Sequence, residues 1–162
     1  MSKKIAFCSL MAALGIISLA ITYVLPANKI FMYLLSTMFT YICVEEYGIK
    51  YGFMTFAVIL AGGFLIAANK VGMIGYAIMV GYYPIVKHFI EHLSIKTNLK
   101  RGLKLLFSVF VLTVAFFVLK SLLTFDFPIY IVFIIGILIF IVYDIVLTMG
   151  IKFYALKLRK LK

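Results

Sequence analysis

Charge is what this sequence has least of. Asp, Glu, Lys and Arg together supply 13% of its 162 residues, about half the share found in soluble domains. Apolar residues make up 66%, and the mean hydropathy is +1.21. A water-soluble globule of this length keeps roughly a third of its area exposed and has nowhere to hide so much apolar surface, so the expected solvent is lipid. Cysteine is limited to Cys8 and Cys43, both in apolar surroundings. Two isolated thiols exclude a disulfide framework and a metal cluster and read as small core residues. Neither GxSxG nor any other nucleophile motif occurs. Linkers, low-complexity runs and soluble-domain stretches are likewise missing, which predicts one integral membrane domain over residues 1–162.

A membrane-crossing helix needs about 20 mainly apolar residues. Cutting the chain at charges, prolines and glycines predicts six, over residues 5–25, 30–47, 49–68, 71–93, 103–124 and 128–151, followed by a basic tail over 152–162. Pro26 ends the first, and Pro128 suits the first turn of the sixth. The N-terminal MSKK and its apolar run resemble a signal peptide superficially. The run is too long for an h-region, and Leu25-Pro26-Ala27 is a poor cleavage site, so a retained first helix is expected. The fold class that follows is all-α, a polytopic bundle of six transmembrane helices.

Basic residues set the expected orientation. With the N-terminus in the cytoplasm, twelve Lys and Arg fall on that side, including Lys50, Lys96, Lys100, Arg101 and Lys104. Lys29, Lys70 and Lys120 fall on the other, and Lys87 lies within a span. Both termini are therefore expected in the cytoplasm, with the chain in the cell membrane. The net charge of +11 would meet anionic lipid headgroups, and nucleic acid is not an expected partner.

Against this apolar background a polar pair occurs twice, in ANKIFM at 27–32 and ANKVGM at 68–73. Asn28-Lys29 and Asn69-Lys70 fall in the first and second external loops, and Lys120 with Asp126 in the third. Asn capping a helix start and Lys snorkelling to headgroups would explain the pairs structurally. Alternatively, amide and ammonium groups rim a cleft for a small polar or anionic solute. Tyr33, at similar depth with Tyr23, Tyr76 and Tyr130, joins that candidate set or belongs to an interfacial aromatic belt. Three ammonium groups against one carboxylate disfavour a bare metal cation as the solute.

The remaining ionisable residues gather nearer the cytoplasmic side: Glu45, Glu46, Lys87, His88, Glu91, His92 and Asp144. An unpaired Asp or Lys at a span's centre costs about 2.5–3.5 kcal/mol, so these groups are expected to pair. Lys87 and Glu91, four apart, share a helical face. Asp144 has no local partner and must reach another helix, with Lys87 a candidate. Such a network either fixes helix register or serves function. No chain of titratable groups joins it to the external loops, so a proton pump or antiporter is not expected. Glu45-Glu46 followed by Lys50 is similar to the EExxxR of CAAX-type intramembrane proteases, but Lys stands for Arg and FIEH at 89–92 is one residue short of FxxxH. His88 and His92 are also i, i+4, a spacing that places two ligands on one face, but HFIEH is not HExxH. No catalytic residue, metal site or cofactor is assigned.

The opening helix, IAFCSLMAALGII, resembles that of substrate-binding S components of energy-coupling factor (ECF) transporters, which read roughly ALLAALAVV after a short basic N-terminus. VEEYGIKYGF, GYYPIVKHFIE and YDIVLTMGIKFYALKLR resemble segments of small S-component-like bacterial membrane proteins. The resemblance implies six helices with both termini inside, and a solute site built from external loops 1, 3 and 5, here Asn28, Lys29, Asn69, Lys70, Lys120 and Asp126. It also implies partners: a transmembrane T component and two ATPases that drive uptake. The family's AxxxA motif, which packs on the T component, is matched by Ser9 and Ala13. The expected function is binding of a vitamin-like solute without enzymatic activity. A non-transport membrane scaffold of similar fold and an intramembrane hydrolase stand as alternatives.

Overall fold

A computed structural model describes residues 2–24, 28–66, 70–122 and 129–158, and every regular element among them is helical. The helices are α1 (Ser2–Val24), α2 (Lys29–Tyr47), α3 (Ile49–Ile66), α4 (Lys70–Tyr76), α5 (Tyr83–His92), α6 (Thr97–Leu122) and α7 (Ile129–Phe153). Short π-helical stretches cover Ala77–Gly81, between α4 and α5, and Tyr154–Leu158, after α7. Four of these rods are long and apolar enough to cross a membrane: α1, α3, α6 and α7. α2 falls short in apolarity through its Ser, Thr and Glu content, and α4 and α5 through interruption.

The break between α4 and α5 comes from Pro84. Proline lacks the N–H that would bond the carbonyl four residues back, and its ring pushes that carbonyl aside. Here the carbonyl is Val80's, inside the π segment. Its oxygen accepts instead from the Tyr82 N–H and, at 3.0 Å, from the Tyr143 hydroxyl of α7. One predicted span, 71–93, is thus two short helices around a π turn. The predicted 103–124 helix begins at Thr97, because Lys100, Arg101 and Lys104 continue a helix that lipid-based cutting ends too early. The predicted tail starts as helix, since α7 runs to Phe153 and its π turn to Leu158.

Polarity is distributed opposite to that of a soluble domain. Large apolar side chains face outward: Leu10 and Ile17 on α1, Leu65 on α3, Leu106 and Phe117 on α6, Leu138 and Met149 on α7. Ser18, Ser36, Thr37, Thr40, Thr55, Lys87 and Ser108 are buried. Several buried hydroxyls bond carbonyls of the preceding turn, as Ser18 does to Leu14 O and Thr55 to Tyr51 O, both at 2.9 Å. Such local bonds satisfy hydroxyls where water is excluded. An apolar outside around a hydroxylated inside is compatible with a membrane location.

α2 is the hub. It packs against α1, α3, α5, α7 and the π segment, and its buried residues run from Ser36 to Val44. α1 and α3 close on it and on each other through small residues; a Cβ on Gly15 would meet Ile59 at 2.5 Å. Gly48, at φ 90°, makes the tight α2–α3 connection in a backbone region that other residues avoid.

Candidate functional site

Two constructions stand out, an apolar cavity and an ion network, and they adjoin at Tyr143 and Asp144 of α7. The first is a cavity of about 260 Å³ between the N-terminal end of α2, α4 and the middle of α6 and α7. Ile30 and Tyr33 of α2, Gly72, Gly75 and Tyr76 of α4, Met79 and Val80 of the π segment, Leu112 of α6 and Gly136 of α7 line its sides, and Tyr143 lies deeper on α7. Glycines on α4 and α7 make the space. A side chain at Gly136 would collide with Leu112, whereas a Cβ at Gly75 meets nothing within 4 Å. The lining is apolar except for three tyrosine hydroxyls and backbone.

Those tyrosines are held in place. The Tyr76 hydroxyl lies 3.2 Å from Ser36 Oγ, and its ring packs on Tyr33 with centroids 5.3 Å apart. The Tyr143 hydroxyl sits between Thr37 Oγ1, at 2.8 Å, and Val80 O. Chemically, the cavity can take a compact apolar body, while the Tyr76 and Tyr143 hydroxyls are already bonded to Ser36, Thr37 and Val80.

Of the residues expected to build an external site, Tyr33 lines this cavity. Lys29 and Lys70 are exposed one or two residues from its lining members Ile30 and Gly72. Asn28 precedes α2 at φ −105°, ψ 20°, and its side chain makes no capping bond, so the capping explanation does not apply to it. Asn69 and Asp126 lie outside the described residues.

The second construction is an ion network that begins beside the cavity's deep side. Lys87 of α5 is wholly buried and its ammonium pairs with the Asp144 carboxylate of α7. The same ammonium donates to Asp144 O at 2.9 Å and Thr148 Oγ1 at 2.6 Å, and lies 3.6 Å from Glu91 Oε1. Lys104 of α6 reaches Glu91 at 2.7 Å and Asp144 at 3.2 Å. Tyr41 of α2 donates to Glu91 at 3.0 Å, and Tyr83 of α5 donates to Asp144 at 2.7 Å. Lys100 closes the end of α5 by donating to Glu91 O at 2.6 Å. Two ammonium groups balance two carboxylates, with hydroxyls filling remaining acceptor positions, the condition under which buried charge is tolerated.

The structure therefore brings Lys87, Glu91 and Asp144 together, and adds Lys104, Tyr41, Tyr83 and Thr148, which sequence reasoning did not assign. Lys104 counts there as one of many headgroup lysines. Glu45 stands apart from the quartet and faces His88, with Nδ1 3.3 Å from its Oε2; Glu46 is half-buried beside it. Ser9 and Ala13 are both exposed on α1, where Ser9 borders a shallow groove with Ala12, Met54 and Val58. They are available to a neighbouring helix rather than spent on packing within this bundle. Cys8 and Cys43 are buried free thiols. No family model, curated protein or solved structure matches this chain.

Proposed function

We propose that this chain is a six-span protein of the cell membrane, with both termini cytoplasmic, and that it binds a small solute in the tyrosine-lined cavity. It serves as the substrate-binding subunit of an ECF-type uptake transporter, acting with a T component and two ATPases. One observation carries the reading: a cavity of about 260 Å³ has Ile30 and Gly72 in its lining, one and two residues from the exposed Lys29 and Lys70. Lysines this close in sequence to the lining suit a solute with a carboxylate or other anionic end, and the apolar walls suit a compact ring or aliphatic body. This narrows the expected solute from a generally polar one to an amphiphilic one. The exposed small residues Ser9 and Ala13 favour a partner helix on α1. The charge-balanced network on the cavity's deep side argues against a continuous aqueous path, so release calls for movement driven by partners.

The reading is tested by purifying the chain from cells, extracting bound small molecules and identifying them by mass spectrometry. Wild type is expected to carry one anionic species near one equivalent, lost from the Lys29→Ala/Lys70→Ala double variant. A preparation with no retained solute, together with no solute-dependent stabilisation across a library of organic acids, would defeat the proposal.

A further inference from the structure

A histidine pair at the far end of the bundle is not used by the solute reading. His88 and His92 lie four apart on α5, one face of one helix, with ring centroids 4.0 Å apart. Each ring has one nitrogen already engaged. His88 Nδ1 faces the Glu45 carboxylate of α2 at 3.3 Å, and His92 Nδ1 faces the backbone carbonyl of His88 at 2.9 Å. Carboxylate and carbonyl oxygens only accept, so both Nδ1 atoms carry the proton when the rings are neutral, and both Nε2 atoms present lone pairs. Metal-binding histidines are oriented in this way, by a carboxylate or carbonyl on the other ring nitrogen.

We propose that His88 and His92 form a two-histidine site for a divalent transition-metal ion of the zinc, nickel or copper class, with Glu45 orienting His88 and offsetting the charge. Among the described residues no three His, Cys, Asp or Glu come together as a ligand set, so water completes the coordination. Two imidazoles bonded at about 2.0–2.1 Å to one tetrahedral ion have centroids about 5 Å apart, about 1 Å wider than the 4.0 Å seen here. The exposed position of His92 leaves its ring room to move apart from His88 by that amount. Imidazole selects this class over magnesium or calcium, which prefer oxygen ligands.

The experiment uses untagged full-length chain in lipid nanodiscs, titrated with Zn2+ and, separately, Mg2+ by calorimetry or against a chromophoric chelator. Wild type is expected to bind one Zn2+ and no Mg2+, less tightly as pH falls because protons compete for the same nitrogens. His92→Ala, at an exposed position, is expected to keep its thermal midpoint without metal and to lose the site. Glu45→Gln is expected to weaken Zn2+ binding about 10–100-fold, as loss of an orienting partner does. Absence of saturable Zn2+ binding in wild type, or equal affinity in wild type and His92→Ala, overturns the proposal.

Discussion

Removing one partner of the Lys87–Asp144 pair should have a cost that depends strongly on which partner is removed. Lys87 is wholly buried, while the Asp144 side chain keeps 24% of its surface. In Lys87→Met, Asp144 retains Lys104 at 3.2 Å and the Tyr83 hydroxyl. In Asp144→Asn, the Lys87 ammonium keeps one carboxylate, Glu91 at 3.6 Å, besides Thr148 and the carbonyl. Stranding a buried charge costs about 3–5 kcal/mol, and Asp144→Asn is expected near that range. Lys87→Met should cost about 1–2 kcal/mol, because the remaining carboxylate stays compensated. The double variant removes both charges and should be less destabilised than the sum, with a coupling of at least about 1 kcal/mol. Reversible unfolding in mixed micelles, followed by tyrosine fluorescence or circular dichroism, measures all four proteins. Equal costs for the two single variants, or coupling below about 0.5 kcal/mol, would refute the claim that these groups act as one buried unit.

Three further outcomes are expected. Gly75→Leu places about 100 Å³ of side chain into the cavity, where a Cβ meets nothing within 4 Å, so stability should hold or rise by up to about 2 kcal/mol; solute binding should fall at least tenfold, and undiminished binding by isothermal titration would place the solute elsewhere. Tyr143→Phe takes a donor from Val80 O and should cost about 1 kcal/mol, but less in a Pro84→Ala background where the restored N–H serves that carbonyl; equal costs in the two backgrounds, measured by unfolding, would refute the π-turn argument. Ser9→Leu with Ala13→Leu should leave the fold intact, since both positions are exposed, yet prevent co-purification with a co-expressed T component; unchanged co-purification would remove α1 as the docking face.

The parts legible in the sequence are those that obey a period or a length. Apolar runs locate the helices, and the i, i+4 spacing of Lys87 and Glu91 places them on one face whatever surrounds them. Asp144, isolated in apolar sequence, points to an interhelical partner for the same reason. Lys104 is different. Counting Lys and Arg treats each as a headgroup anchor, and nothing local distinguishes the one that turns inward. The clue lies in the helix start: once α6 begins at Thr97, Lys104 sits about two turns inside it and faces α5 and α7. Tyr41, Tyr83 and Tyr143 were hidden by a rule that is right on average. Tyrosine favours the membrane interface, but the same hydroxyl serves a buried acceptor when one is left open, by Pro84 at Val80 or by the carboxylates of Glu91 and Asp144.

Consecutive residues of α7 connect the cavity and the ion network. Tyr143 borders the cavity and supports the Val80 carbonyl, and Asp144, its neighbour, holds Lys87. α5 carries the corresponding pair from the other side, since Tyr83 binds Asp144 and the adjacent Pro84 opens Val80. The π turn, the cavity and the ion network therefore share one contact between α5 and α7. A packed interior is not continuously deformable, so a molecule pressing on Tyr143 acts on a joint that also carries the bundle's buried charges. On the proposed reading this joint, rather than the cavity or the ion network alone, is where solute occupancy meets the force supplied by partner subunits. Relief of that joint by Pro84→Ala should then change solute affinity although Pro84 does not line the cavity.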